Sequence, residues 1–157
     1  MMALADLQGH SFAGVNLQSA KLSGANLCDC DFTGANLSLS DMFAVRLNRA
    51  VMVNCNLTGA DLRGAHLRGA KLKYAILRGA DLRGGALLDR RNPSQMRVEP
   101  SDLAGADMDH AHLSNANLAG ADLTECSLIG ADCSGAQLSG CSFARANLKK
   151  TNFSNSD

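Results

Sequence analysis

The chain has 157 residues, 46% hydrophobic and 19% charged, and a formal net charge of zero, the balance of a single globular domain. Aromatic residues make up 4%, with no Trp and one Tyr, which excludes a core built on large rings and leaves small aliphatic residues to hold the fold together. No apolar run is long enough to span a membrane, and residues 1–30 lack the basic-then-apolar pattern of an export signal. Six Cys without zinc-like spacing fit free thiols in a reducing, cytoplasmic setting.

Residues 5–89 repeat every five positions. Leu7, Phe12, Leu17, Leu22 and Leu27 open a series of large apolar residues that runs to Leu87 without a miss. Two positions before nearly all of them stands a small residue, such as Ala25, Ala35, Ala60, Ala65 or Ala70, and a turn residue, often Gly, follows. A helix would rotate 140° per unit and lose any apolar stripe, and a single strand would flip its face at every odd step. Each unit is therefore expected to be one short extended side, small and large residues inward, closed by a turn that suits Gly.

The segments "SGANLCDCDFTGANL", "TGADLRGAHLRGAKL" and "NANLAGADLTECSLIGAD" resemble the A(D/N)LXX units of the pentapeptide-repeat family. The resemblance implies an all-β fold, a right-handed quadrilateral β-helix with four units per coil. Counting Leu87, 28 units would make seven coils, a rod about 34 Å long at roughly 4.8 Å per coil. In that register Phe12, Phe32 and Phe143 share one column, and Leu7, Leu27, Leu47, Leu67, Leu87, Leu118 and Leu138 another.

Residues 90–100, RRNPSQMRVEP, hold both prolines and are expected to leave one corner as an exposed loop, with Leu87 and Leu103 on successive sides. The repeats then resume over residues 101–155, all within one domain spanning residues 1–157.

Charge is segregated along the chain. Residues 46–97 carry 11 bases against three acids, between acidic ends. Arg63, Arg68, Lys73, Arg78 and Arg83 should place one base on each face in turn, with Arg46, Arg49 and Lys71 nearby and Arg90, Arg91 and Arg97 extending the belt into the loop. This belt is the candidate surface for an anionic or protein partner, beside Val51, Val53, Tyr74 and Ile76, which break the polar rule. Nucleic acid is disfavoured because stacking aromatics are lacking apart from Tyr74.

Cys30, Cys55, Cys126, Cys133 and Cys141 are expected to fill core positions and Cys28 to point outward; His10 falls in an inward slot, and His66, His110 and His112 are scattered. The outward Asp residues read as a solvated face. No catalytic group, metal site or cofactor is expected, so the leading reading is a non-catalytic structural and protein-interaction module. Relatives linked to quinolone resistance imply an alternative, DNA mimicry toward a type II topoisomerase, but the basic belt interrupts the acidic surface that mimicry needs. Another alternative is the repeat domain of a BTB-type ubiquitin-ligase adaptor. At the far end Phe143, Leu148 and Phe153 form an apolar cross-section, from which a homodimer through the C-terminal coils is expected.

Overall fold

The computed structural model describes residues 5–88 and 95–157. Outward residues of successive coils form parallel bridges 20 residues apart, as in Asp6 to Asn26 to Arg46 to His66. Twenty residues are four pentads, so the coil has four sides. Two bonds join each rung to the next: Leu7 N–H donates to the Asn26 carbonyl (2.9 Å) and Asn26 N–H to that of Ala5 (2.8 Å). At the corner His10 N–H donates to the Leu7 carbonyl (3.2 Å), and Gly9 between them has φ +74°, a type II turn. Residues such as Asp29, Arg49 and Tyr74 hold the same left-handed conformation at their own corners.

One N–H per pentad is left over, that of the residue after the large apolar one. An Asp or Asn two residues earlier takes it: Thr33 N–H donates to Asp31 Oδ1 at 2.9 Å, Thr58 N–H to Asn56 at 3.1 Å and Ala104 N–H to Asp102 at 3.0 Å. The outward carboxylates and amides are therefore more than a solvated face. They complete the backbone hydrogen bonding of the turn.

The inward residues fill the coil. From Leu22 to Ala136 the large and small inward positions are almost all inaccessible to solvent, each buried Leu contributing about 1.5–3 kcal/mol before chain entropy is subtracted. Two of the small positions are polar. Ser40 Oγ donates to the Leu37 carbonyl (2.7 Å) and Ser101 Oγ to that of Arg83 (2.9 Å), which removes the penalty of burying a hydroxyl. The first and last coils are open, and Leu7, Phe12, Leu138, Phe143 and Phe153 are only partly covered.

The interruption is longer than its composition suggests. His66 bridges to Asp102 and Asp81 to Asn117, each 36 residues on, so 16 residues leave the coil and Leu103, not Leu87, follows Leu82. Leu87 lies instead in a hairpin of β1 (Gly85–Leu88) and β2 (Met96–Glu99), paired antiparallel with Leu87 opposite Arg97. The repeats thus run over 5–84 rather than 5–89, the described residues form 27 sides rather than 28, and the last coil is one side short of a seventh. The columns shift with them: Phe143 stacks below Leu123 in the column of Leu7, and Leu118 and Leu138 stand in that of Leu22. The hairpin is rooted where Gly85 meets the Gly64 corner. A Cβ on Gly64 would lie 3.1 Å from Gly85 Cα, and Gly64 already has φ +65°.

Deleting residues 85–100 joins Gly84 to Ser101 and restores an unbroken pentad. This variant is expected to keep the circular dichroism spectrum of the solenoid and a single cooperative melt; loss of both would mean that the hairpin is needed for the stack.

Candidate functional site

The basic belt lies on coils three and four, but its charges are unevenly compensated. On the fourth face Asp61 bridges to Asp81 in the next coil, and each receives a two-pronged bond from the arginine of its own pentad. Arg63 Nε and Nη2 reach Asp61 at 2.9 and 2.6 Å, and Arg83 reaches Asp81 at 3.0 and 2.8 Å. The Arg63 bond holds the Asp61 carboxyl below its ordinary range, against the opposing effect of burial. Arg63 also lies over the Phe43 ring, 5.6 Å from its centre. On the first face and its corner, Arg68 pairs with Asp102 (3.2 Å) and Arg49 with Asp29 (2.7 Å).

The second and third faces differ. Among the described residues, Lys71, Lys73 and Arg78 have no ion-pair partner, nor does Arg46 on the first face. Lys71 is exposed on the second face, stacked between Val51 and Asp107. At the corner leading to the third face Tyr74 is 46% exposed, its ring stacked on His110 at 5.2 Å with the two planes 12° apart. Lys73 Nζ lies 5.5 Å from the Tyr74 ring centre. On the third face a depression of about 400 Å³ is lined by Asn56, Thr58, Ile76, Arg78 and His112. Val51, Val53 and Ile76 are half-buried, so of the four apolar interlopers only Tyr74 stands clear.

In the hairpin Arg97 is exposed and paired with Glu99, while Met96 and Val98 are among the most exposed apolar residues. Arg90 and Arg91 lie outside the described residues.

Cys30, Cys55, Cys126 and Cys133 sit in the core as expected and Cys141 is partly buried against it, with one correction. Cys28 is 4% exposed rather than outward-facing at the surface; it stands in a column between Gln8 and Asn48, and the Gln8 side chain reaches to Asn26 and Asp29 on either side of it. His10 departs the other way, exposed at the open first coil with Nδ1 against the Leu7 carbonyl (2.9 Å). No cluster of three or more potential metal ligands occurs among the described residues, and no helix there is long and apolar enough to cross a membrane. At the far end Phe143 and Phe153 meet edge to face at 6.3 Å and Leu148 is 36% exposed.

The family model for pentapeptide repeats matches the chain in eight copies, over residues 11–49, 46–84, 101–137 and 126–157. The chain belongs to the pentapeptide-repeat family. Its fold is accordingly the right-handed quadrilateral β-helix, and the matched copies stop at Gly84 and restart at Ser101, on either side of the hairpin. Among solved structures it is similar to a trypsin-treated variant of QnrB1, a plasmid-mediated fluoroquinolone resistance protein. The two are 23% identical over 98% of this chain and 82% of the other, with a TM-score of 0.41. HetL, involved in heterocyst differentiation regulation in a Nostoc cyanobacterium, is 26% identical over 96% and 86%, with a TM-score of 0.28. A pentapeptide-repeat protein of the Arabidopsis thaliana thylakoid lumen is 24% identical over 81% and 63%, with a TM-score of 0.31. No curated protein sequence matches the chain significantly.

Burial pushes the thiols of Cys55, Cys126 and Cys133 up to about 12. Only the thiolate reacts readily, so iodoacetamide at pH 8 is expected to leave these three unmodified in the folded pentapeptide-repeat coil and to label them after denaturation. Rapid labelling of Cys55 in the native protein, read by peptide mass spectrometry, would place it outside the core.

Proposed function

We propose that the chain is a non-catalytic interaction module of the cytoplasm, a rigid solenoid that presents a basic belt and a hairpin to an anionic or protein partner. The observation that carries this reading is the position of Lys71, Lys73 and Arg78 on two adjoining faces without ion pairs, while the belt arginines of the fourth face are neutralised by Asp61 and Asp81. Uncompensated exposed charge steers association and selects partners of opposite sign. An interior filled by Leu and Ala supports the non-catalytic part of the reading, since a packed coil offers no enclosed cleft. DNA mimicry is disfavoured because the most regular acidic ladder, Asp41, Asp61 and Asp81, is crossed by Arg63 and Arg83.

Reversing Arg46, Arg63, Arg68, Lys71, Lys73, Arg78 and Arg83 to Glu tests the module as a whole. The immobilised native chain is expected to retain a defined set of proteins from cell lysate that high salt releases and the reversed chain fails to hold. Identical retention by both chains would remove the belt from function, and inhibition of a topoisomerase supercoiling assay by the native chain would favour mimicry instead.

Self-association through Phe143, Leu148 and Phe153 belongs to the same proposal. Among the described residues the N–H groups of these three find no acceptor, whereas the fourth side of that coil is occupied by Asp157, whose Oδ1 accepts Leu138 N–H at 2.5 Å. A second copy would cover the open apolar section and the free N–H groups together. Sedimentation is expected to give a dimer for the native chain and a monomer for Phe153→Asp; a monomer in both cases rules the interface out.

A further inference from the structure

The rule that completes each turn is broken at several pentads, two of which carry the free cations of the second and third faces. On the second face Lys71 stands where the repeat places Asp or Asn, and on the third face Ile76 does. Neither side chain can accept a hydrogen bond. Among the described residues, nothing accepts the N–H of Lys73 or of Arg78, the donors that an Asp or Asn at those positions would satisfy. At two such gaps the neighbouring coil supplies the acceptor, Asn48 Oδ1 for Arg68 N–H at 3.1 Å and Asp109 Oδ1 for Ile129 N–H at 3.0 Å, whereas among the described residues the N–H groups of Ser23, Asn48, Val53 and Ser114 are left open as those of Lys73 and Arg78 are. What sets Lys73 and Arg78 apart is that their two consecutive pentads carry three cations, Lys71, Lys73 and Arg78, without an ion pair among the described residues.

The acids nearest these cations are committed to other donors. Asp109, one coil below Lys73, takes Ser127 Oγ (2.5 Å) and Ile129 N–H, and Asp107 below Lys71 takes the N–H of Asp109 (3.1 Å). On the third face Asp132, one coil below His112, takes Ser134 N–H (3.1 Å) and the Asn152 amide (3.0 Å). Two backbone donors and three cationic side chains thus lie on the two faces that meet at Tyr74, with no carboxylate bound to them among the described residues.

We propose that this corner takes an extended acidic segment of a partner protein, whose carboxylates supply to the Lys73 and Arg78 N–H groups the oxygens that Lys71 and Ile76 withhold. Glu or Asp side chains of the segment lie against Lys71 and Lys73 on one face. Around the corner another enters the depression beside Arg78, and the Tyr74 ring covers the segment between them. Carboxylates bonded to both a cation and a backbone N–H form the stronger, charge-assisted class of hydrogen bond. A protein segment fits better than a nucleic acid because phosphate tracking needs a longer run of free cations, and Tyr74 is already stacked on His110. The proposal rests on the interaction reading above and narrows it to two faces.

Tyr74 is the single Tyr of a chain without Trp, so tyrosine emission reports on this corner alone. Titration with a short poly-Glu peptide is expected to change that emission saturably, with oligothymidylate binding more weakly at equal salt. The double variant Lys71→Asn, Ile76→Asn returns the missing oxygens to the chain; it should melt at a higher temperature and bind poly-Glu about tenfold more weakly or worse. Lys73→Gln with Arg78→Gln, which leaves the repeat positions untouched, should weaken binding similarly. Lys21→Gln, in the first coil and outside the belt, should bind as the native chain does, and Arg83→Gln, on the neutralised fourth face, should weaken binding less than either double variant. An unchanged Tyr74 signal, full binding by either double variant, or tighter binding of oligothymidylate would each overturn the proposal. Binding weakened as much by Arg83→Gln as by the double variants would overturn this corner while leaving the belt as a whole in place.

Discussion

Every structural feature of this protein depends on the way a pentad hands its backbone hydrogen bonds to the next coil. A side of the coil is too short to bond to itself, so its donors and acceptors point along the rod and find partners 20 residues away. That requirement forces a turn at each fifth residue, which the left-handed corner residues supply. It also admits only one small and one large inward side chain per side, because the four sides close on a space that Leu and Ala already fill. Stability is then a property of neighbouring coils together, as in other one-dimensional repeats.

The period and the inward positions are legible from the sequence because a five-residue spacing has few physical solutions. The length of the interruption is not. Gly85 and Leu87 stand where a small and a large inward residue belong, and whether 11 or 16 residues leave the coil, Leu103 still resumes the same spacing. What separates the two cases is three-dimensional: Gly85 packs on Phe43 and Gly64 outside the coil. The choice decides which residue stacks on Tyr74. With 11 inserted residues it would be Gly105; with 16 it is His110, so the Tyr74 and His110 pair could not be read from spacing alone.

Charge was legible as a sum but not as a surface. The 11 bases of residues 46–97 include the Arg63 and Arg83 charges that Asp61 and Asp81 cancel, leaving a smaller region on two faces. Asp at the outward position was likewise visible as a pattern, but its purpose became clear only when the N–H two residues later was seen to donate to it. Burial of Cys28 has the same origin: its pentad position suggests exposure, whereas Gln8 of the preceding coil reaches to the residues beside it.

Because the bonds between coils run parallel to the long axis, tension applied at the two ends of the rod would load them in series. The stack would then peel coil by coil instead of failing as one block. Each release frees 20 residues, roughly 65–70 Å of extended chain. One step differs, since stacked partners across the hairpin are 36 residues apart, and its release would lengthen the chain by nearly twice as much. Such a molecule is a ruler with one oversized division, and the place where that division appears in a force trace would report from which end the unpeeling began.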